Sequence, residues 1–322
     1  ENRVLAFYGL KQINSNPREG LRALMDNKTK IKKLTTSDLA FRIAPRINAA
    51  GRIEHAKKAV EILIEKNREK ASFFSESIEK NNKTRKELDQ SITKEALQMI
   101  DQNKKSTVVY SDKWHKGVLG IVASRLIETH YKPTIVLAES DGIFTGSARS
   151  VHGFDLYEAI SKCSYLCEKF GGHKYAAGLS IKKENLDTFI KAFEIAVNEK
   201  ITDDQRSPKI DVDLEISIDS IDKKLVRIIK QFSPFGPLNL PPVFITKGVR
   251  DTGYGKKIGA DKQHLRINVK DSDKSIAAIG FRMGDFLDKI NENQRFDICY
   301  SIEENDWNGK TSLQLIIRDI KN

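Results

Sequence analysis

Residues 144–180 have the sequence FTGSARSVHGFDLYEAISKCSYLCEKFGGHKYAAGLS. Residues 145–150 alternate as in a β-strand, which puts Thr145, Ser147 and Arg149 on one face and the small residues Gly146, Ala148 and Ser150 on the other. The last eleven contain three glycines and two alanines around His173, which predicts a glycine hairpin that a ligand can approach closely. A helix is predicted over residues 155–169. A strand, a helix and a hairpin in series indicate part of an α/β domain.

The polar face of this strand is suited to a terminal phosphate. Ser147 and Arg149 form a compact donor group, because arginine offers a planar fork and serine adds one hydrogen bond. An ordinary solvated strand face explains the same residues. His173 is a candidate phosphate or sugar contact, and equally a structural histidine beside a tight turn.

Composition sets broad limits on the function. The 322 residues predict two or three domains. The formal net charge of +11 favours an anionic partner, although a genome composition that favours lysine and asparagine gives the same excess of positive charge. Three cysteines do not suggest a disulfide framework, and the pair Cys163 and Cys167 is expected on an apolar helix face rather than at a metal. No run of 18 apolar residues exists, so a cytoplasmic protein without a membrane segment is expected. Because residue 1 falls in an apparent helix, we expect a fragment.

The first 64 residues are predicted to be the end of a domain. A helix is expected to close at Gly9, a turn over residues 14–18, and a new helix from Leu21. The segment PRINAAGR, residues 45–52, is predicted to be a small-residue loop before an amphipathic helix. Its two arginines are suited to an anion near a helix start, or belong to an ordinary surface loop.

Residues 65–103 are predicted to be one long charged helix with a thin apolar seam, which joins two domains or serves as a coiled-coil partner. Strands over 106–110 and 132–138 then alternate with helices over 117–129 and 184–199, as in an α/β domain. His115 lies just before a helix start, which suits either an anion or a packing role.

Beyond a polar linker at 201–208 the pattern changes to short strands, which suggests a small barrel of the OB type. The predicted strands are 210–216, 243–250, 264–270, 275–281, 296–302 and 312–320, with a helix over 219–231. His264 and Arg266 lie opposite the core side of their strand, near Tyr254, Lys256 and Lys257 in the preceding loop. Such basic groups beside an aromatic bind single strands without strong sequence preference, although lysine-rich surface loops look the same.

Three segments in series carry a family resemblance. Residues 114–126, 146–150 and 170–180 resemble the DHH-associated domain of the RecJ family, single-strand-specific DNA exonucleases of the DHH phosphoesterase superfamily. Residues 45–52 resemble the last motif of that family's catalytic domain, and 235–239, 242–244 and 304–309 resemble its C-terminal OB domain. The resemblance implies the end of a DHH catalytic domain at 1–64, a connecting helix at 65–104, a DHH-associated domain at 105–202 and an OB-like domain at 206–322.

The resemblance implies a metal-dependent 5′→3′ exonuclease that hydrolyses single-stranded DNA in repair and recombination. It implies Mn²⁺ or Mg²⁺, held by an Asp-His-His triplet and further ligands. This sequence contains no such triplet. We therefore expect the ligands before residue 1, assign no metal to this chain, and expect it to be inactive alone.

Pattern and resemblance together give the candidate site residues. The candidates for substrate and phosphate are Arg46, Asn48, Arg52, His115, Ser147, Arg149, Gly171, Gly172 and His173. The candidates for single-stranded DNA in the OB-like domain are Tyr254, Lys256, Lys257, His264 and Arg266. The resemblance leaves a single-strand-binding protein or a helicase open as protein partner. Two alternative functions remain: a DHH-family phosphodiesterase of oligonucleotides or nucleotides, and a non-catalytic single-stranded-DNA-binding factor.

Overall fold

The computed structural model describes residues 1–26, 33–290, 294–307 and 309–321. These residues form two compact units, Tyr8–Pro208 and a second unit that joins Glu1–Phe7 to Lys209–Asn322. No helix in these ranges is long and apolar enough to cross a bilayer. Asn308, within the motif at 304–309, lies outside the described residues.

The chain begins with short helices. They are α1 (Asn2–Ser15), α2 (Glu19–Asp26), α3 (Thr36–Asp38), α4 (Ala44–Ile53) and α5 (Lys57–Ile64), with a π-helical turn at Leu39–Ile43 before α4. Two expectations were wrong. Helix α1 continues through Gly9, and residues 45–52 are helical rather than a loop. Proline is tolerated in the first turn of α4, where its missing N–H costs nothing, and the alanines that follow favour a helix.

The long charged helix is confirmed as α6 (Arg68–Gln98), although it is shorter than predicted. The Asn67 side chain caps its first turn by accepting from the Lys70 N–H. Its buried side includes polar residues as well as the apolar seam, among them Asn82 and the fully buried Asp89.

A five-stranded sheet follows α6. Its elements are β1 (Thr107–Ser111), α7 (Leu119–His130), β2 (Thr134–Ser140), β3 (Ile143–Arg149), α8 (Leu156–Lys162), β4 (Cys167–His173), β5 (Ala176–Lys182) and α9 (Leu186–Lys200). The strand order is β1-β2-β3-β5-β4, in which only β1 and β2 are parallel. The predicted strand and the glycine hairpin of residues 144–180 are therefore both present.

The two faces of this sheet are covered differently. One face packs Ile135 and Leu137 against α8 and α9, while the other packs Val136 and Ala138 against α7. Helix α7 contacts β2 and β3 on that second face, whereas the β4 and β5 residues that share it include exposed glycines. Part of the second face is thus open beside α7.

The helix predicted over residues 155–169 ends at Lys162, because the chain then turns to start β4. Pairing of Cys167 with Ile181 across the sheet competes with further helix, and residue spacing alone did not reveal it. Cys163 is buried beyond the helix end and Cys167 begins the strand, so the two do not share a helix face. Both thiols are free, and burial raises the pKa of each to about 11.

The second unit is a barrel. Its elements are β6 (Leu214–Glu215), α10 (Lys223–Gln231), β7 (Phe244–Asp251), β8 (Lys256–Ile258), β9 (His264–Lys270), β10 (Ser275–Gly280), β11 (Phe296–Trp307) and β12 (Lys310–Lys321). Five strands close in the order β7-β9-β10-β12-β11-β7, with β10 and β12 parallel. This is the Greek-key closure of an OB fold.

Three details of the barrel differ from the sequence prediction. Residues 210–216 form a strand only at Leu214–Glu215, helix α10 starts at Lys223, and β8 lies within the predicted loop. The start of α10 is set by Asp222, whose side chain accepts from the Leu225 N–H. Leu265, Ile267 and Val269 face the barrel core as predicted.

Candidate nucleic-acid interface

Ser147 and Arg149 form one polar group on β3. Arg149 Nη1 donates to Ser147 Oγ at 2.7 Å and to the Ala148 carbonyl at 2.8 Å. Both side chains are half-buried on the face covered by α7. Among the described residues no carboxylate forms an ion pair with Arg149. A fixed guanidinium without a carboxylate partner is a suitable site for an anion.

Gly120, in the first turn of α7, lets this group lie against the helix. A Cβ at Gly120 would lie 2.7 Å from Arg149 Nη2 and 3.1 Å from Ser147 Oγ. The free N–H groups and the dipole at a helix start favour negative charge. Gly120 was part of the quoted family motif but was not chosen as a site residue. Only the three-dimensional packing reveals its contact with β3.

Arg52 brings a second positive charge to this region. Its Nη1 donates to the Gly117 carbonyl at 3.0 Å, and a Cβ at Gly117 would lie 2.2 Å from the Arg52 carbonyl oxygen. Burial lowers the pKa of Arg149, and the charge of Arg52 lowers it further. Two like charges at the start of α7, one beside Gly117 and one beside Gly120, favour binding of an anion, because the anion relieves their repulsion.

Arg85 of α6 lies close enough to Arg52 for the charge of Arg52 to act on it. Burial lowers the Arg85 pKa, Asp89 opposes that shift, and the charges of Arg125 and Arg52 reinforce it. Asp89 is neutralised by Arg125, whose Nη2 donates to Asp89 Oδ2 at 2.8 Å. Sequence reasoning missed Arg85, since its place on a long charged helix resembles many solvated arginines.

The open part of the sheet face is a glycine shelf, defined as Gly171, Ala176 and Gly178. Ser147 pairs with Gly178 and Gly178 with Gly171, so these three residues share one face. A Cβ at Gly171 would meet nothing within 4 Å, and one at Gly178 would meet only the Gly146 carbonyl at 3.8 Å. The shelf therefore offers bare backbone beside the Ser147 and Arg149 donors.

Gly172 and His173 differ from Gly171 in their setting. Gly172 has φ +151, and a Cβ there would lie 2.3 Å from the Ala176 carbonyl, so the strand pairing itself requires glycine. His173 is exposed, and its Nδ1 accepts from the Tyr175 N–H at 3.3 Å. It lies in the same cross-strand row as Arg149, through Ala176.

Three further candidates, His115, Asn48 and Arg46, lie in the unit Tyr8–Pro208. His115 is exposed, and its Nδ1 accepts from the Gly117 N–H at 3.1 Å, which caps the turn that leads into α7. Asn48 is exposed on α4. Arg46 Nε pairs with Glu79 Oε2 at 2.6 Å. Glu79 thus neutralises the guanidinium of Arg46, whereas Arg52 forms no ion pair within the part of the chain that the structure describes.

The barrel carries the second set of candidates. Tyr254 is exposed on a loop that Asp251 organises, since Asp251 Oδ2 accepts from the N–H groups of Gly253 and Gly255, each at 3.1 Å. Lys256 is exposed, whereas Lys257 pairs with Asp288 at 2.8 Å, a hydrogen bond that raises the Lys257 pKa. Lys256 is therefore exposed to a phosphate, whereas the charge of Lys257 is already paired with Asp288.

His264 and Arg266 lie on the outer face of β9. Lys256 of β8 pairs with Arg266, so the two side chains share that face. On OB folds the outer face of the second and third barrel strands, here β9 and β10, is the usual place for nucleic acid.

Metal binding needs several donor side chains close together. In the ranges that the structure describes, no group of three or more His, Cys, Asp or Glu side chains could hold a metal ion. The described residues therefore offer no donor set for a divalent metal.

Comparison with known protein families identifies two domains in this chain. A family model described as the DHHA1 domain matches residues 103–199, and one described as the RecJ OB domain matches residues 212–319. The chain thus combines a DHHA1 domain with a RecJ OB domain.

The individual relatives agree with this class. The chain is 35% identical to the single-stranded-DNA-specific exonuclease RecJ of Bacillus subtilis over 99% of this chain, and 32% identical to that of Haemophilus influenzae over 98%. It spans about half of their length, 41% and 57% respectively. The predicted resemblance to the RecJ family is confirmed.

Solved structures give the same result. RecJ of Thermus thermophilus in complex with Mn²⁺ matches with a TM-score of 0.87 and 25% identity over 100% of this chain and 46% of that one. An exonuclease RecJ bound to manganese matches with a TM-score of 0.55 and 32% identity over 63% of this chain and 51% of that one. The predicted α/β fold with an OB barrel is confirmed.

Proposed function

We propose that this chain is the substrate-holding part of a metal-dependent 5′→3′ exonuclease specific for single-stranded DNA. The observation that carries the proposal is the Ser147 and Arg149 donor group beside the glycine shelf. It offers fixed charge to a phosphate and bare backbone to the nucleotide attached to it. The similarity to RecJ enzymes, which are named as single-stranded-DNA-specific exonucleases, supports the choice of substrate.

The residues have distinct roles in this proposal. Ser147 and Arg149 hold the 5′ end or a nearby phosphate, and Arg52 neutralises the adjacent backbone. The pair of Arg46 with Glu79 positions α4, so that Asn48 and Arg52 face the strand. Gly171, Gly172 and His173 form the wall of the cleft, and His115 lies at the start of α7 beside it.

Hydrolysis requires groups that the described residues do not provide. The solved RecJ structures contain Mn²⁺ or Mg²⁺, and a divalent metal supplies an activated water and neutralises phosphate charge. We place the ligands in a further segment of a longer polypeptide, since the relatives are about twice as long as this chain. The chain on its own then binds DNA without degrading it.

The OB barrel provides a separate surface for single-stranded DNA, through Tyr254, Lys256, His264 and Arg266. The proposed setting is DNA repair and recombination in the cytoplasm, where the three free thiols remain reduced. A single-strand-binding protein or a helicase is the proposed protein partner.

The test measures binding by this chain and degradation by a polypeptide of the relatives' length. The chain should bind single strands more tightly than duplex, with a log–log salt slope of about −0.7 per phosphate neutralised. With Mn²⁺, the longer polypeptide should release nucleotides from the 5′ end of single strands. Release from the 3′ end, or equal degradation of duplex, contradicts the proposal. Binding by the chain with no degradation by the longer polypeptide favours the non-catalytic alternative.

A further inference from the structure

Phe281 is a large aromatic side chain on the outer face of the barrel. Phe281 follows β10 directly in a turn, and 58% of its surface is exposed, whereas Ile276, Ala278 and Gly280 of the strand are buried. The outward side of β9 presents His264 and Arg266 next to it. Phe281 therefore belongs to the face where OB folds bind oligonucleotides.

The ring of Phe281 is held by its neighbour. The His264 ring lies edge-to-face with it, with ring centroids 5.4 Å apart and an interplanar angle of 77°. His264 is fixed in turn, because its Nδ1 accepts from the Arg282 N–H at 3.0 Å. A Cβ at Gly259 would lie 3.0 Å from His264 Cδ2, so the backbone also contacts that ring. An aromatic ring braced in this way loses little freedom when a base stacks on it.

Positive charge accompanies the ring. Arg266 lies two residues along β9 from His264. Lys256 of β8 is the cross-strand neighbour of Arg266. Within the described ranges neither cation forms an ion pair. Ile279 lies opposite Arg266 on β10 and faces the same way. The face thus combines an aromatic, an aliphatic side chain and two cations, as a single strand requires for its bases and phosphates.

We propose that Phe281 is a stacking platform for one base of single-stranded DNA, with Arg266 and Lys256 holding the adjacent phosphates. This inference rests on the proposed function and adds a specific base contact to it. Stacking uses the π-face that every base has, so the platform binds without selecting a sequence. Phe281 was absent from the sequence candidates because it ends the predicted strand 275–281, where a phenylalanine resembles a core residue.

The experiment compares two oligonucleotides of equal length, an oligothymidylate and an abasic strand with the same phosphates, by fluorescence anisotropy. Phe281→Ala should weaken binding of the thymidylate about 5- to 150-fold, the ratio that corresponds to ~1–3 kcal/mol for one stacked base. Binding of the abasic strand should stay unchanged, because its contacts are phosphates alone. Phe281→Trp, which keeps an aromatic ring, should bind the thymidylate as tightly as the unaltered chain does.

The matched control is Phe232→Ala, which removes a phenylalanine of the same unit with 55% exposure. It should alter neither affinity. Phe281→Leu keeps apolar bulk without the ring, so it tests stacking even where alanine perturbs folding. Equal weakening of both strands by Phe281→Leu, or no weakening of either, overturns the platform while the DNA-binding proposal stands. Failure of the unaltered chain to bind either strand overturns both.

Discussion

Arg149 donates a hydrogen bond to the hydroxyl of Ser147, two residues earlier on the same strand face, at 2.7 Å. The serine thereby fixes the guanidinium before any ligand arrives. The part of Arg149 nearest Gly120 is Nη2, which remains directed toward the first turn of α7. Because the donors are held in place in advance, an anion that binds there does not have to order them.

We predict that Arg149→Ala weakens binding of a single strand with a 5′-phosphate by ~1.5–3 kcal/mol, the range for a hydrogen bond to a charged group. Ser147→Ala should cost less, since it loosens the guanidinium without removing it. Equilibrium binding to 5′-phosphorylated and 5′-hydroxyl oligonucleotides measures both effects.

Arg206→Ala is the control for that prediction, because Arg206 belongs to the same unit and pairs with Asp203 at 3.0 Å. If Arg149→Ala weakens both kinds of 5′ end equally, the residue contacts an internal phosphate. If it weakens neither, the polar face of β3 is an ordinary solvated surface.

Gly171 and Gly172 are adjacent, and their alanine variants should behave in opposite ways. Gly172→Ala should lower the free energy of unfolding by ~1–3 kcal/mol. Its φ of +151 disfavours a side chain, and the Ala176 carbonyl oxygen would lie 2.3 Å from the new Cβ. Gly171→Ala should fold normally, since its Cβ meets nothing within 4 Å, yet weaken DNA binding by adding a methyl group to the shelf. Unfolding and anisotropy titrations distinguish them. Unchanged binding by Gly171→Ala would remove the shelf from the site.

Local patterns predicted much of the fold. The alternation in β3 and the glycines of the β4–β5 hairpin act over a few residues, so the sequence alone was enough to predict both elements. The switch from helix to strand at Cys167 was missed, because it depends on pairing with Ile181 in a strand that comes later in the chain.

The candidate site also depends on contacts between residues that are distant in the sequence. Arg46 and Arg52 looked equivalent in one motif, but Glu79 on another helix neutralises Arg46, whereas Arg52 adds its charge to that of Arg149. Such partners are distant in sequence, and residue spacing carries no information about them. The contact of Gly120 with Arg149 was missed for the same reason.

Lys256 and Lys257 provide a test on the barrel. Lys256→Ala should weaken single-strand binding and reduce the salt slope by about 0.7, the loss expected when one phosphate contact is removed. Lys257→Ala should leave the slope almost unchanged, because Asp288 already pairs with Lys257. Titrations at several salt concentrations measure both slopes. A larger change for Lys257→Ala than for Lys256→Ala would contradict the assignment.

Tyr300 should make the stability of the barrel unit depend on pH in the alkaline range. Its side chain is fully buried, and its hydroxyl lies 2.7 Å from Thr246 Oγ1, which itself donates to the Ile216 carbonyl. Tyr300 is therefore the donor between the two hydroxyls, and Tyr300→Phe should cost ~0.5–1.5 kcal/mol at neutral pH. Burial raises the Tyr300 pKa to about 12 from an ordinary value of 10.0.

Because the folded pKa is raised, the stability that neutral Tyr300 contributes is complete below pH 10 and is lost as the pH rises to about 12. Each unit of pKa shift corresponds to ~1.36 kcal/mol, so the free energy of unfolding should fall by up to ~2.7 kcal/mol more in the unaltered chain than in Tyr300→Phe. Urea unfolding between pH 9 and 12, monitored within the barrel unit, gives this difference. Tyr254→Phe is the control, since it removes the hydroxyl of a tyrosine that is 78% exposed. A constant difference between the unaltered chain and Tyr300→Phe across that range would mean that the folded protein admits the charged tyrosine without cost.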